Sequence, residues 1–298
     1  SGRRRPRQGD DRGRAGVVEV RAMRVGFVGL GNMGAPMARR IAEAGWPLAV
    51  FARRPATLDR VADLRPTVAP SLRALGEASD LVGICVVDDR EVEDVLLGQH
   101  LVAGLRPGAI VAVHSTVHPE TCRRLAARAA EKHVALLDAP VSGGPAAVAA
   151  RRLSVIVGGK AEAFESARPV FESFAGTVRH VGAVGSGQTA KLVNNLLFMA
   201  NLGLAAEAMG LGAALGVDAP TLAEVVRASS GSSFALDLYA PSLSLDSFAA
   251  VAGLLRKDLD LALDVARAAG LDASSLSPAA EWTVRTLERL AAAFGRRD

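Results

Sequence analysis

Short runs of β-branched and aliphatic residues alternate with amphipathic stretches through the first two thirds of this chain. The runs are RVGFVG (24–29), LAVF (48–51), LVGICVV (81–87), AIVAV (109–113), VALLDA (134–139), LSVIVGG (153–159) and TVRHV (177–181). Between them, segments 33–44, 89–97, 118–132 and 161–174 carry apolar residues at helical spacing. This alternation predicts an α/β domain, a parallel sheet covered by helices on both faces. Beyond residue 185 no run reads as a strand. Segments 187–216, 219–229, 251–269 and 277–294 read as helices, with Gly and Pro marking the breaks. The expected organisation is an extension over 1–22, an α/β domain over 23–185 and an all-helical domain over 186–298. The last two join through the long helix opened by GSGQTAKLVNN (185–195). No internal repeat of fixed period is visible.

Composition sharpens this picture in three places. A chain of 298 residues is long enough for two cores, and its half-apolar content is that of a soluble globular protein. The formal net charge of +4 sits entirely in residues 1–22, where seven Arg face three acids. That segment lacks apolar periodicity and a signal-type apolar core, so it reads as a disordered extension ahead of a neutral body. Nucleic acid is accordingly not an expected partner. The apolar stretch 192–215 has the length of a membrane span, but Asn194, Asn195, Asn201 and Glu207 interrupt it. A buried helix is expected instead. Cys85 and Cys122 form no ligand cluster and are expected as reduced thiols in a cytoplasmic protein. His114 and His118 lack a neighbouring Cys or carboxylate, so no metal site is expected.

The first chemical signal follows the first strand. GLGNMG sets Gly29, Gly31 and Gly34 in G-x-G-x-x-G spacing, with Asn32 and Met33 between the last two glycines. Gly29 permits a tight turn, Gly31 lets backbone approach a pyrophosphate, and Gly34 lets the helix pack on the strand. A strand before it, a helix after it and further βα units are the context the motif requires. The domain therefore reads as a doubly wound, Rossmann-type dinucleotide fold. An NAD-type site carries an acid at the end of the second strand, to accept from the ribose hydroxyls. Here that strand ends VFARRP, without an acid between Glu43 and Asp59. Arg53 and Arg54 suit a 2′-phosphate, so NADPH is the expected cofactor. The competing reading makes both arginines solvated loop residues.

A nicotinamide enzyme also needs a group that moves a proton at the reacting carbon. The one tyrosine, Tyr239, lacks a lysine four residues on, and GSGQTAK lacks the ending of a phosphate-binding P-loop. Lys191, in the first turns of the long helix and on one face with Asn195, is the remaining candidate. Burial and a helix N-terminus both disfavour its charged form. On spacing alone it reads equally as a lysine snorkelling from an apolar helix.

From residue 24 to about 290 the chain resembles the β-hydroxyacid dehydrogenases, the group that includes 3-hydroxyisobutyrate dehydrogenase and tartronate semialdehyde reductase. The matching blocks are GFVGLGNMGAPMA (26–38), HSTVHP (114–119), DAPVSGG (138–144), GSGQTAKLVNN (185–195) and RKDLDLA (256–262). The resemblance implies that Lys191 is the catalytic acid/base and that Asn195 orients the substrate. It implies that Ser142, Gly143 and Gly144 hold a small substrate's carboxylate, for which glycine N–H donors are apt. Thr116 would lie by the nicotinamide ribose, Val86 and Val87 would border the cofactor, and Lys257 would close over it from the helical domain. Arg53 takes the place of the family's 2′-phosphate arginine. The long helix is apolar around its circumference, and the family buries such a helix partly in a second subunit, so a homodimer or homotetramer is expected.

Four positions depart from the family pattern. Ala147 and Arg151 replace glycines, His114 replaces Asp, and Val87 replaces Pro. Arg151 is expected to alter charge near the pocket mouth, which bears on substrate identity. An imine reductase shares this architecture but generally lacks the lysine. A non-catalytic NADP-binding module is the reading from another class, and the intact lysine, amide and Ser-Gly-Gly stretch count against it.

Overall fold

The computed structural model describes residues 23–271 and 276–294; the expected extension over 1–22 lies outside them. In chain order the first half comprises β1 (Val25–Val28), α1 (Gly34–Glu43), β2 (Leu48–Phe51), β3 (Thr67–Val68), α2 (Leu72–Glu77), β4 (Leu81–Ile84), α3 (Asp89–Glu93), α4 (Leu101–Gly104), β5 (Ile110–Val113), α5 (Pro119–Ala130), β6 (Ala135–Asp138), β7 (Val141–Ser142), α6 (Gly144–Ala149), β8 (Leu153–Gly158), α7 (Ala161–Phe171) and β9 (Ala175–Gly182). Helices follow: α8 (Ser186–Ala214), α9 (Ala219–Arg227), α10 (Phe234–Tyr239), α11 (Ala252–Ala268) and α12 (Leu276–Phe294). Every strand expected from the apolar runs is present, most of them trimmed by a residue or two.

The strands form one sheet in the order β3-β2-β1-β4-β5-β6-β8-β7, with β9 also paired to β8. From β3 through β6 every pairing is parallel. One apolar layer covers one face with side chains of α1 and α7, among them Met37, Ile41 and Phe171. Another covers the opposite face with α2, α4 and α5, including Leu75, Leu101 and Leu125. Helices on both faces explain why the strands read as apolar runs.

The expectation of a parallel sheet needs one correction. β8 runs antiparallel to β6 and β7, through Asp138↔Gly158, Val141↔Val155 and Ser142↔Ser154. These three pairs share one register, so β6 and β7 are successive lengths of a single edge along β8. The cause is local. Gly143 and Gly144 take φ of 129° and 74°, α6 lasts only six residues, and Arg151 takes a left-handed φ of 52°. The chain therefore folds straight back, whereas a parallel neighbour requires a long crossover. Arg151 thus holds a left-handed conformation that suits glycine better.

α8 has 29 residues, about 44 Å at 1.5 Å per residue. Its first turn rests on the sheet, and its remainder is the axis of the helical half, packed against α10, α11 and α12. Close approach at the sheet depends on Gly187: a Cβ there would lie 2.6 Å from the Ile156 carbonyl oxygen and 2.7 Å from that of Asp138. By length and hydropathy alone α8 has the makings of a membrane span. Leu192, Leu196, Met199, Ala200 and Leu202 on it are instead buried against neighbouring helices. Leu204, Leu211 and Leu215 are exposed.

Candidate active site

A cleft of about 1120 Å³ opens outside the carboxyl ends of β1, β2, β4 and β5 and is closed from above by α8, α10 and α11. The sheet order reverses between β1 and β4, the place where open α/β sheets form a crevice for ligands. All sixteen residues expected at the site line this one cleft, from Gly29, Gly31, Asn32, Met33 and Gly34 at one pole to Ser142, Gly143, Gly144, Lys191 and Asn195 at the other. Arg53, Arg54, Val86, Val87, Thr116 and Lys257 lie between and around them.

The three glycines of the turn differ in what a side chain would meet. Gly29 has φ 91°, and a Cβ on it would meet the Cys85 carbonyl oxygen at 2.1 Å. A Cβ on Gly34 would stand 1.8 Å from the Gly29 oxygen, so the α1–β1 contact excludes any side chain. Gly31 differs: a Cβ there meets nothing within 4 Å. The fold does not require a glycine there, and its missing side chain leaves open the cleft it lines, room in which an anion could approach backbone N–H groups. A dinucleotide fits the residues present.

Lys191 is only 7% exposed. No hydrogen bond or ion pair holds its ammonium among the described residues. Burial brings its pKa down to about 8; the negative charge of Asp258 opposes that shift and the nearby Lys257 adds to it. The helix start is held from outside. The cap position is Gly185, and it has no side chain to offer. Asp138 at the end of β6 substitutes for it, its Oδ1 accepting from the Gly185 N–H and its Oδ2 from the Gln188 N–H, both at 2.8 Å. This satisfies N–H groups that a helix leaves unpaired at its N-terminus. Gln188 then ties the same turn to the loop after β5: its Nε2 donates to the Ser115 carbonyl at 2.8 Å, and its Oε1 accepts from the Val117 N–H at 3.1 Å.

α11 completes the pole. Asn195 donates through Nδ2 to Asp258 Oδ2 at 2.7 Å. An ionised carboxylate only accepts, so this bond fixes which way the Asn195 amide faces. Asp258 Oδ1 is buried without a hydrogen-bond partner, yet lies 2.9 Å from Lys257 Nζ, an electrostatic contact without hydrogen-bond alignment. Lys257 Nζ in turn donates to the Thr116 carbonyl at 2.5 Å, so it clasps the helical half to the β5 loop. Asn194 reaches the Ser142 hydroxyl at 3.4 Å. Phe234, Leu238 and Phe248 form part of the wall.

Sequence reasoning missed several of these residues. Asp258 adjoins Lys257 in the RKDLDLA block and was legible as its neighbour, though without any assigned part. Gln188 likewise sits in the GSGQTAKLVNN block without an assigned part, and Glu91 carried no signal. Arg152, not Arg151, lines the cleft, because Arg151 is spent on the left-handed turn. His114 is structural: it packs among Phe27, Phe171 and Phe174, bonds the Ala139 carbonyl at 2.8 Å through Nδ1, and burial lowers its pKa to about 4. Cys85 and Cys122 are free thiols, and burial raises the former to about 12.

Comparison with known proteins agrees with this architecture. Residues 24–182 match the family described as the NAD-binding domain of 6-phosphogluconate dehydrogenase. Residues 185–296 match the NAD-binding domain of NADP-dependent 3-hydroxyisobutyrate dehydrogenase. An NAD-dependent L-serine dehydrogenase of Pseudomonas aeruginosa is 40% identical over 254 residues, 82% of this chain and 85% of that one. A 3-hydroxyisobutyrate dehydrogenase of the same organism is 38% identical over the same shares. The solved Mycobacterium tuberculosis 3-hydroxyisobutyrate dehydrogenase with L-serine superposes with a TM-score of 0.81 at 31% identity, covering 91% of this chain and 95% of that one. The chain belongs to the β-hydroxyacid dehydrogenase family, the NAD(P)-dependent oxidoreductases of CH–OH groups that include 3-hydroxyisobutyrate dehydrogenase.

Proposed function

We propose that this protein interconverts a small β-hydroxy acid and its aldehyde or keto acid with NADP(H), using Lys191 as the general acid/base. One observation carries the reading: a buried lysine, without a hydrogen bond or ion pair among the described residues and with its pKa brought to about 8, lines the same cleft as the glycine turn. The nicotinamide, when bound, gives or takes the hydride. In reduction Lys191 donates a proton from Nζ to the substrate oxygen as that oxygen gains charge; in oxidation the neutral amine removes the hydroxyl proton. A pKa near the working pH leaves both forms accessible.

Around this exchange the other residues bind and orient. The Ser142 hydroxyl and the N–H groups of Gly143 and Gly144 take the substrate carboxylate, and Asn195, its amide held by Asp258, orients the reacting group. Two lysines, Lys191 and Lys257, stand against one aspartate, Asp258, at this pole, an excess of basic groups that favours an anionic substrate. Gly29, Gly31, Asn32, Met33 and Gly34 hold the cofactor's pyrophosphate. Arg53 and Arg54 take the 2′-phosphate, while Val86, Val87, Thr116 and Lys257 border the nicotinamide side.

The exposed leucines of α8 support a homodimer or homotetramer, and the two unbridged thiols support a reducing, cytoplasmic location. The test is a screen of small hydroxy acids, starting with L-serine and 3-hydroxyisobutyrate, and of aldehydes and cyclic imines, with NADP(H) and NAD(H). Turnover of a hydroxy acid supports the reading; turnover of imines alone overturns it.

A further inference from the structure

The end of β2 lacks an acid, but the folded protein brings one there from another element. Glu91, in α3, receives the Arg53 Nη2–H on Oε1 at 2.6 Å and the Val87 N–H on Oε2 at 3.0 Å. Arg53 follows β2 and Glu91 follows β4, the two strands that flank β1. The ion pair thus spans the cleft beside the glycine turn, and Arg53, Val87 and Glu91 all line it. Glu91 is held on both oxygens and its side chain is 26% exposed; that of Arg53 is 64% exposed. The Val87 N–H and then the Arg53 guanidinium hold its carboxyl below the usual range, against the effect of burial, so it is ionised at neutral pH.

This arrangement bears on the cofactor's ribose. A carboxylate and a phosphate engage a guanidinium through the same donors. A 2′-phosphate reaching Arg53 must therefore displace Glu91 or sit against a like charge. Free ribose hydroxyls are donors, for which a carboxylate is the natural acceptor. We propose that Glu91 sets cofactor choice in this enzyme: it competes with the 2′-phosphate for Arg53 and supplies, from α3, the acid that NAD-type sites carry on β2, so that NAD(H) is also bound. The inference rests on the reading of the cleft as a nicotinamide dinucleotide site with Arg53 at its ribose end.

Calorimetric titration of the full chain with NADP⁺ and with NAD⁺ tests it without turnover. Glu91→Gln removes the charge but keeps a carbonyl for the Val87 N–H. It is expected to tighten NADP⁺ and weaken NAD⁺, moving the ratio of dissociation constants by about tenfold or more. An unchanged ratio, or a move toward NAD⁺, overturns the proposal. Arg53→Ala, at an exposed position that folding does not depend on, is expected to weaken NADP⁺ while leaving NAD⁺ within about threefold. Equal losses of both overturn it too. Failure of the wild-type chain to bind either dinucleotide would instead sink the reading of the cleft itself.

Discussion

Asn195 on α8 donates to Asp258 on α11 across 2.7 Å, so the amide and the lysine one turn before it are placed by two different helices of the same half. Asp258 also opposes the desolvation of Lys191 by its charge. Replacing it with Asn keeps an acceptor for Asn195 and removes the charge. The Lys191 pKa should then fall further, moving the basic limb of the reduction profile down by about one pH unit. Asp258→Ala, which also strands the amide, should raise KM as well. A limb that stays in place in Asp258→Asn would leave Asp258 a merely structural partner.

The wild-type pH dependence has a definite sign. Reduction needs the ammonium, so kcat/KM for the carbonyl substrate should be level below pH 8 and fall above it. Oxidation needs the neutral amine, so kcat/KM for the hydroxy acid should rise with pH and level off above 8. Parallel trends in the two directions would contradict the assignment.

Two glycines of the turn should part company. At Gly31 a methyl group finds open space, so Gly31→Ala should melt close to wild type yet lose about tenfold or more in dinucleotide affinity. At Gly34 the methyl strikes the Gly29 oxygen, and Gly34→Ala should destabilise the fold by about 2–4 kcal/mol. Calorimetric melting and cofactor titration read both. Equal dinucleotide binding by Gly31→Ala and wild type would remove the pyrophosphate from that turn.

Asp138 is predicted to position Lys191 without touching substrate. Asp138→Asn leaves one acceptor for two N–H groups at the head of α8, a buried donor lost at about 1–3 kcal/mol. Melting should drop and kcat should fall, while cofactor affinity holds. Asp138→Asn with wild-type melting and kcat would show that the carboxylate does not hold this helix.

Much of this was legible because the deciding signals are local. Gly29, Gly31 and Gly34 mark their turn by spacing within one short segment, although the close approach that Gly29 permits is to Cys85 beyond β4, and a strand covered on both faces announces itself by apolar runs. What escaped reading depends on chain reversal or distance. The antiparallel β8 follows from three positive-φ residues between 143 and 151, one of them Arg151, which no apolar pattern marks. β3 is two exposed residues long, and α10 is a six-residue helix begun by the Ser233 cap, too short for periodicity to register. Glu91 and Arg53 stand 38 residues apart, and Asn195 and Asp258 stand 63 apart. Neither pair exists as a motif; only the sheet order and the α8–α11 contact bring them together.

The most direct test is Lys191→Ala, measured for turnover and for NADPH binding on the same preparation. Turnover should fall by about 10²–10⁴-fold while the dissociation constant for NADPH stays within about threefold, because the phosphates are held by the glycine turn and the arginines. Turnover retained within tenfold of wild type would contradict Lys191 as the acid/base.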